Sequence, residues 1–389
     1  MTAELVGKIT ARFLMAKKPI QPKHKLILIS PTAGTMAGFE MAGFSGRQIT
    51  LVREYAKYFD VEYYTSDVKD YSGVLQVKHH PIPVRLDIPG VRHLLFWLYL
   101  VIRAPFMKGT IRTFGVEIPT LPLVRILSRQ KLIAGFQWDY ASQTHANYTG
   151  VKKWLANSLQ DLGFRGTDLV ICTMEWLKNI AEQKYKKRAV VLPNFVDVSV
   201  FKKSDDKENY IIYTGRLHWS KGVEFLLTAF KEVVKSYPDY RLLICGAGES
   251  ERSLREMVTE EIASRVEFLG SIKQDRLASL LAKAKVFVLP TVTYEGHPKA
   301  LIEAMASGTA CVATKVPGNK DVIIDNITGR LVEPKDSRRL AKVLLEILGS
   351  DELRTRFESA GRDFAMNHYD LKRIIEQERL IISKYTGQC

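Results

Sequence analysis

The chain is predicted to be an α/β protein with two doubly wound domains, each built on a parallel sheet. Apolar strand-like runs alternate with helical periods along most of its 389 residues, which is typical of parallel sheets covered by helices on both faces. The alternation starts again after a break near Pro193 and Asn194. A hydrophobic content of 46% is sufficient for two cores of ordinary size. The expected parts are residues 1–190, residues 191–365 and a terminal helical segment over residues 366–389.

The individual elements follow from the apolar periodicity. In the first half, a strand is predicted over residues 25–30, then a loop with four glycines and a helix over about residues 47–58. Further strands of that half are predicted at residues 61–65, 132–136 and 169–173. The second half is predicted to contain strands at residues 210–214, 241–245, 266–269, 286–290, 310–314 and 330–332, and helices at residues 223–237 and 277–284.

Residues 293–308 form the most informative segment, because a strand-like run precedes them and a helix is predicted to start within them. Pro298 suits a first helical turn, Gly308 suits a helix end, and Gly296 allows a ligand close to the backbone. The helix N-terminus favours an anion such as a phosphate. We expect Glu295 and Glu303 to accept hydrogen bonds from hydroxyl groups of an anionic ligand, as a nucleotide sugar would offer. The alternative is a helix start with ordinary surface glutamates.

Two other loops follow predicted strands and contain residues that suit the same anionic ligand. Arg216 and Lys221 come after the strand at 210–214, and a Gly246-Ala-Gly248 turn comes after the strand at 241–245. Arginine can bind a diphosphate through two hydrogen bonds, and lysine adds a compact charge. Because open parallel sheets bind ligands at the carboxyl ends of their strands, these loops are expected to meet residues 293–308 in one site.

The charge distribution predicts an anionic partner for the first half. Residues 1–190 hold 27 Lys and Arg against 14 Asp and Glu, a net charge of +13, whereas residues 191–389 hold 30 against 28, a net charge of +2. Within the first half, residues 94–102 are apolar and lie between Arg92 and Arg103. This segment is predicted either to lie in a bilayer interface, with Trp97 and Tyr99 at the headgroups and Lys108 and Arg112 nearby, or to be a buried helix.

Other sequence features set limits on the class of protein. The longest apolar run has nine residues, far fewer than the about 20 that a spanning helix needs, and residues 1–25 do not resemble a signal peptide. The four cysteines have no paired spacing, and three of them, Cys172, Cys245 and Cys311, lie in apolar strand-like runs. We expect these three to be buried thiols, which fits a reducing compartment. We see no Asp-x-Asp motif, no metal-ligand cluster and none of the aromatic-basic interleaving of an RNA-binding module.

Taken together, the motifs resemble retaining glycosyltransferases of family 4, which have the two-domain GT-B fold. The resemblance is specific over about residues 186–350 and extends to the whole chain in layout. It implies two Rossmann-like domains that face each other across a cleft, and a terminal helix that returns to the first domain. The motifs that carry it are residues 191–197, the turn from Gly215 and Arg216 to Lys221 and Gly222, residues 246–248, residues 268–270, and Glu295 with Glu303 eight positions later.

The resemblance implies a nucleoside-diphosphate sugar as donor substrate and assigns roles to the residues that match. Arg216 and Lys221 would hold the diphosphate, Glu303 would bind the ribose hydroxyls, and Arg216, Lys221 and Glu295 would be the catalytic residues. The remaining donor contacts would come from the glycine turns at Gly215 and Gly246, backbone near Ser271 and Ile272 at the base, Gly296, His297, Pro298 and Lys299 at the sugar, and helix N–H groups of Ala300 and Leu301 at a phosphate.

On the acceptor side the match is weaker. The loop that contains Gly46 and Arg47 is similar to the glycine loop that lies beside donor and acceptor in this family. Many members have a histidine after the strand that corresponds to residues 132–136, whereas this chain has Gln137 and Trp138 there. Either of these two residues could take the place of that histidine, and His145 lies nearby in sequence.

The function expected from the sequence is transfer of a hexose-type sugar, with retention and without a metal or other cofactor. The acceptor would be a glycan or a lipid-linked molecule at an anionic membrane surface, with the enzyme on the cytoplasmic face and no nucleic-acid partner. The alternatives are a sugar phosphorylase or a nucleotide-sugar epimerase of the same fold and, more remotely, a non-enzymatic basic binding protein.

Overall fold

The computed structural model describes residues 23–30, 45–83, 91–137 and 150–387, and within these ranges the strands form two parallel sheets. The strand order is β3-β2-β1-β4-β5-β6-β7 in the first sheet and β10-β9-β8-β11-β12-β13 in the second. Both orders are those of doubly wound sheets, in which the chain starts near the middle and winds outward in both directions. The predicted α/β fold with two Rossmann-like domains is confirmed.

The first sheet is formed by short strands and covered by helices on both faces. Its strands are β1 Lys25–Ile29, β2 Asp60–Tyr64, β3 Lys78–His80, β4 Thr110–Thr113, β5 Leu132–Phe136, β6 Leu169–Cys172 and β7 Ala189–Val191. Its helices are α1 Ser45–Tyr58, α2 Ser72–Leu75, α3 Val91–Arg103, α4 Leu121–Ser128, α5 Gly150–Arg165 and α6 Glu175–Gln183, with a 3-10 turn at Ala104–Phe106.

The second sheet has longer apolar strands. They are β8 Glu208–Thr214, β9 Arg241–Cys245, β10 Val266–Gly270, β11 Ala284–Leu289, β12 Ala310–Thr314 and β13 Arg330–Val332. The helices of this part are α7 Val223–Ser236, α8 Glu251–Glu256, α9 Glu260–Ala263, α10 Gln274–Lys283, α11 Lys299–Ala306, α12 Asn319–Val322, α13 Ser337–Leu348, α14 Asp351–Tyr369 and α15 Leu371–Thr386, with a 3-10 turn at Trp219–Lys221.

Side-chain alternation in β1 separates the two cores of the first domain. Ile27 and Ile29 pack into the core under α3, α4, α5 and α6, whereas Leu26 and Leu28 pack into the core under α1. Helix α15 completes the second of these cores with four apolar residues, although it follows the second domain in sequence. Those residues are Leu371, Ile374, Ile375 and Ile382.

A buried polar network fixes α15 to the first sheet. Arg112 in β4 and Glu378 in α15 are both about 4% exposed, and their Nε and Oε1 atoms are 2.5 Å apart. Tyr55 in α1 donates a hydrogen bond of 2.5 Å to the other carboxylate oxygen. Separation of Arg112 from Glu378 would leave two buried charges unpaired, which costs far more than burial of the pair. The network therefore holds α15 against the first sheet. Arg112 is therefore a buried residue, and its predicted position beside a membrane surface is wrong.

The two crossings between the domains pair with each other. Val196 N donates to Tyr369 O and Leu371 N donates to Val196 O, each at 2.9 Å, so the outgoing and returning segments run side by side. Asp370 is extended between α14 and α15, and this is why the terminal helix, predicted within residues 366–389, begins at Leu371. The last strand of the first sheet ends at Val191, one residue past the predicted boundary at residue 190.

Candidate active site

The candidate site lies where the strand order of the second sheet reverses, at the carboxyl ends of β8 and β11. Doubly wound sheets bind ligands at such switch points. Residues 215–222 follow β8 and residues 290–298 follow β11, so the two predicted donor segments flank the reversal. The two loops therefore lie at the same edge of the sheet, and the roles assigned to their residues stay predictions.

Glycines permit the close approach of these loops. Gly215 N donates to Cys245 O at 3.0 Å, and Gly246 N donates to Gly270 O at 2.8 Å, which connects the ends of β8, β9 and β10. Gly246 has a φ of +144°, and a Cβ there would lie 1.8 Å from Gly215 O. Only glycine fits this position, because any side chain would clash with backbone.

Lys221 and Glu295 form an ion pair at the centre of the site. Lys221 Nζ lies 2.7 Å from Glu295 Oε1, and the two side chains are 19% and 7% exposed. Thr291 Oγ1 donates to the same carboxylate oxygen at 2.6 Å. The sequence assigns these charges to different parts of a donor, whereas the structure brings them into direct contact. Arg216 is the other cation of the loop that contains Lys221, and its side chain is exposed.

The polar groups of the segment between β8 and α7 have partners that hold its conformation. Arg216 O accepts from the Tyr213 hydroxyl at 2.9 Å. His218 Nε2 lies 3.1 Å from Glu249 Oε1, and its Nδ1 lies 2.7 Å from Ser220 Oγ. Burial lowers the pKa of His218, and the positive charge of Arg216 lowers it further. The lowered pKa favours a neutral His218, so Arg216 is the exposed positive charge that this loop offers to an anionic ligand.

The loop after β11 depends on residues of the first domain. Thr173 Oγ1 donates to Gly296 O at 2.9 Å, and Asn194 Nδ2 donates to His297 O at 2.8 Å. The Trp176 ring lies 5.2 Å from the Tyr294 ring. Among these residues, Thr173 and Trp176 were not predicted as site residues, although a polar residue directly after strand β6 is a signal that could have identified Thr173.

His297 is buried in a strained backbone conformation. Its φ is +103°, its side chain is 5% exposed and its ring makes an edge contact with Tyr369 at 5.2 Å. Burial lowers its pKa to about 3, with a smaller contribution from Lys299, so the ring is neutral at physiological pH. A buried neutral ring fixes the loop and cannot supply positive charge to a diphosphate.

Helix α11 offers its N-terminus to the site as the sequence predicts. Pro298 is the cap residue, and the first intrahelical backbone bond runs from Ile302 N to Pro298 O at 3.3 Å. The N–H groups of Lys299, Ala300 and Leu301 precede that bond, as in any helix start. The Leu301 side chain is 0% exposed, so the backbone is the part of this residue that a ligand could reach. Gly308 ends the helix with a φ of +65°.

Glu303 is buried and lines a cavity of about 210 Å³ between the domains. Lys299 lines the same cavity, together with Thr50 of α1 and Gln274 of α10. The carboxylate is thus placed beside a space that both domains enclose, which fits a group that accepts hydrogen bonds from ligand hydroxyls. Ser271 is exposed at the entrance to α10, whereas Ile272 packs against the core of the second domain.

The acceptor-side residues are only partly described. Gln137 is exposed directly after β5. Trp138 and His145 lie outside the described residues, and Gly46 and Arg47 belong to the first turn of α1, where side-chain positions lie outside them as well. The choice between Gln137 and Trp138 therefore stays a prediction.

Other sequence expectations concern metals, thiols and membranes. Among the described residues, no three His, Cys, Asp or Glu side chains are grouped to hold a metal ion. Cys172, Cys245 and Cys311 are buried free thiols, as predicted. In the described part of the chain, no helix combines the length and the apolar character that crossing a membrane requires.

Comparison with known proteins confirms the likeness that the motifs predict. Residues 197–364, which include the whole second sheet, match the family model of glycosyl transferases group 1. The chain is 32% identical over 206 residues to a phosphatidyl-myo-inositol mannosyltransferase of Mycolicibacterium smegmatis, covering 51% of this chain and 53% of that protein. The chain spans about half the length of the curated relatives it matches.

Solved structures show the same fold over nearly the whole chain. A sucrose-phosphate synthase of Thermosynechococcus elongatus has a TM-score of 0.75 at 19% identity, covering 94% of this chain and 100% of that one. An Anabaena protein in complex with UDP and glucose has a TM-score of 0.74 at 18% identity, covering 93% and 100%. The chain has the GT-B fold, and its second domain carries the signature of glycosyl transferases group 1.

Proposed function

We propose that the chain is a retaining glycosyltransferase of family 4 that moves a hexose-type sugar from a nucleoside diphosphate to an acceptor. The observation that carries the proposal is the Lys221–Glu295 ion pair at the switch point of the second sheet, beside the N-terminus of α11. The family match over residues 197–364 supports it. The Anabaena neighbour, which was solved with UDP and glucose, supports a nucleotide-sugar donor.

The chemistry follows from where negative charge develops. The bond between the anomeric carbon and the diphosphate oxygen breaks, and the leaving diphosphate gains charge. Fixed positive groups stabilise that charge without reorganisation, and removal of one such group elsewhere costs about 100-fold or more in turnover. Arg216, Lys221 and the N–H groups at the start of α11 supply this stabilisation. Glu295 accepts hydrogen bonds from the sugar and orients Lys221.

Retention needs no protein nucleophile in this arrangement. The acceptor hydroxyl attacks the anomeric carbon from the side that the diphosphate leaves, and an oxygen of the departing diphosphate accepts its proton. Two-carboxylate glycosidases instead form a covalent intermediate with one carboxylate. An NMR measurement of the anomeric configuration of the first product tests this step, and an inverted product would refute it.

Donor binding can be tested before the acceptor is known. We expect nucleoside-diphosphate sugars to raise the unfolding midpoint, with about 2.7 kcal/mol of added stability at a hundredfold excess over Kd. Arg216→Ala should weaken binding of all diphosphates, and Glu303→Gln should weaken nucleosides but not inorganic diphosphate. A panel of nucleotide sugars that leaves the midpoint unchanged would contradict the proposal.

Catalysis is proposed to need neither a metal nor another cofactor, because protein cations and a helix N-terminus serve the diphosphate. We expect equal initial rates in EDTA and in Mg²⁺. Strict dependence of transfer on Mg²⁺ or Mn²⁺ would show that this part of the proposal is wrong.

The acceptor is proposed to be a glycan or a lipid-linked molecule, with the enzyme attached peripherally to the cytoplasmic membrane face. The net charge of +13 over residues 1–190 supports attraction to an anionic surface. Co-sedimentation with neutral and anionic vesicles at low and high salt tests the attachment. Equal recovery in the supernatant with both vesicle types at low salt would favour a soluble acceptor.

A further inference from the structure

Three helices of the first domain form a single outer layer. Helices α3, α4 and α5 all contribute to the core that contains Ile27 and Ile29, so they lie on the same side of the first sheet. Helix α4 contacts both α3 and α5, which places it between them. The surfaces that these helices turn away from the sheet are therefore parts of one continuous face.

This face exposes large apolar side chains at helical spacing. In α3, Phe96 and Leu100 are buried against the sheet, and the exposed residues Leu94, Leu98 and Ile102 lie on the opposite side of the helix. The same division occurs in α4 and α5. Two exposed residues on each helix define what we call the basic apolar face, and they are 50% to 77% exposed: Leu94, Leu98, Leu123, Ile126, Val151 and Trp154.

The charged residues of these helices are almost all positive. Helices α3, α4 and α5 contain six Lys and Arg residues and a single acidic residue, Asp161. Among these cations Arg165 is exposed, whereas Arg92 and Arg103 are half-buried. Arg125 is half-buried as well and pairs with Asp168 at 2.6 Å. Lys108 and Arg129, which lie in the connections between these elements, are exposed. A large exposed apolar surface framed by cations is unusual for a surface that faces only water.

The face reaches the mouth of the cleft. In parallel sheets each helix begins beyond the carboxyl end of the preceding strand, so the first turns of α3, α4 and α5 lie at the sheet edge where ligands bind. Val151 and Trp154 belong to the first turns of α5, and Leu94 and Leu123 belong to those of α3 and α4. A molecule anchored under this face could extend directly into the cleft.

We propose that the basic apolar face docks on the surface of an anionic lipid leaflet, with the aliphatic side chains and Trp154 in the headgroup region. Charge complementarity selects this occupant. The exposed cations described around the face are Lys108, Arg129 and Arg165. Two copies of such a face would bring charges of the same sign together, whereas an anionic leaflet accepts both the cations and the apolar residues. The inference rests on the proposed function for its meaning, because it identifies how the enzyme would reach a lipid-carried acceptor.

The docking surface differs from the one that the sequence predicts. Trp97 and Tyr99 are partly buried and pack against the core of the first domain, so the face proposed here does not depend on these two aromatics. Helix α3 combines the two alternatives that the sequence leaves open, since one side is buried and the other is exposed. Helices α4 and α5 add a larger area than residues 92–103 could supply alone.

The test compares two double variants of the full chain. Leu98→Glu with Ile126→Glu changes the face, and Ile327→Glu with Leu380→Glu changes residues of similar exposure outside it. Binding is measured with phosphatidylcholine vesicles that contain or lack phosphatidylglycerol. We expect the face variant to lose at least about tenfold in partitioning to the anionic vesicles, and the control variant to bind like the wild type.

A second readout locates the protein on the bilayer. Brominated lipids should quench Trp154 fluorescence, and the quenched signal should disappear in Trp154→Phe but persist in Trp219→Phe. Unchanged partitioning of the face variant would overturn the proposal. A wild-type dimer in lipid-free solution that Leu98→Glu with Ile126→Glu dissociates would also overturn it, because a second copy would then cover the face.

Nucleotide binding separates this inference from the proposed function. The midpoint shift with nucleoside diphosphates reports the second domain and should be the same in wild type and face variant. Vesicle docking without any nucleotide-induced shift would refute the proposed function and leave the docking face intact. A nucleotide-induced shift without vesicle docking would refute the docking face and leave the proposed function intact.

Discussion

Removing the cation at the centre of the candidate site should affect stability and turnover together. Lys221→Ala leaves the Glu295 carboxylate, which is 7% exposed, without the partner that lies 2.7 Å away. Loss of one partner from a buried ion pair costs about 3 kcal/mol at the lower end of the usual range. We expect the lower end because Thr291 Oγ1 still donates to the same oxygen. For a domain of this size the unfolding midpoint should fall by about 6 to 12 °C.

Turnover should fall more steeply than stability accounts for. With one charge-stabilising group removed, nucleotide-sugar cleavage or transfer should drop about 100-fold or more in Lys221→Ala and in Glu295→Gln, measured at a temperature where both variants are folded. The double variant should lose much less stability than the sum of the single losses, since it leaves no buried charge unpaired. Lys235→Ala is the matched control, because Lys235 pairs with Glu232 at 2.8 Å on an exposed surface.

Three results would refute this reasoning. Wild-type turnover in both folded single variants would remove the two residues from the chemistry. Additive stability losses in the double variant would show that the ion pair does not form in solution. A midpoint loss in Lys235→Ala as large as that in Lys221→Ala would show that burial of the pair is not the cause.

Further expectations concern pH and the terminal helix. Burial lowers the pKa of His297 to about 3, so below pH 6.5 the unfolded chain binds a proton that the folded chain does not, and stability falls. Between pH 6.5 and pH 5, the free energy of unfolding should fall by about 2 kcal/mol more in wild type than in His297→Phe, measured by urea titration. Burial also lowers the pKa of Lys207 to about 8, so the unfolded chain holds the proton of this ammonium group more tightly than the folded chain does. From pH 8 to pH 10, the free energy of unfolding should therefore rise in wild type and rise less in Lys207→Met. Deletion of residues 366–389 should expose the first-domain core and abolish soluble expression, whereas Leu380→Ser, at a position 54% exposed, should remain soluble. A soluble, active truncation would contradict the packing of α15.

Sequence periodicity predicts the second domain well because its strands are buried apolar runs with clear ends. The strands over Arg241–Cys245, Ala310–Thr314 and Arg330–Val332 match their predicted bounds. In the first domain, β3, β4 and β7 were missed. The sequences of β3 and β4, Lys78–His80 and Thr110–Thr113, are short and polar, and β7 has only three residues, Ala189–Val191. Nothing near Arg112 in sequence reveals that it is buried, since its partner Glu378 is 266 residues away.

For α3, the helical phase of the sequence predicts which residues face outward better than its composition does. Aromatic residues between basic residues favour a membrane interface, and on that basis Trp97 and Tyr99 were expected at the surface. At helical spacing, however, the two aromatics flank the side formed by Phe96 and Leu100, which are 0% exposed, and are themselves partly buried. Leu94, Leu98 and Ile102 recur every four residues on the other side. The phase predicts which residues face outward, but only the packing of α3 beside α4 shows that the outward residues form part of a larger face.

The donor residues are predictable individually, but their arrangement depends on long-range contacts. Strand ends place Arg216, Lys221 and Glu295 in one site, yet the contact between Lys221 and Glu295 joins residues 74 positions apart. The carbonyls of Gly296 and His297 are fixed by Thr173 and Asn194, which precede the residues that match the family model. A loop held at φ +103° by hydrogen bonds from another domain can be displaced when that domain moves. The position of the first domain therefore helps to determine the geometry of the sugar-binding loop, and the second domain alone does not specify it.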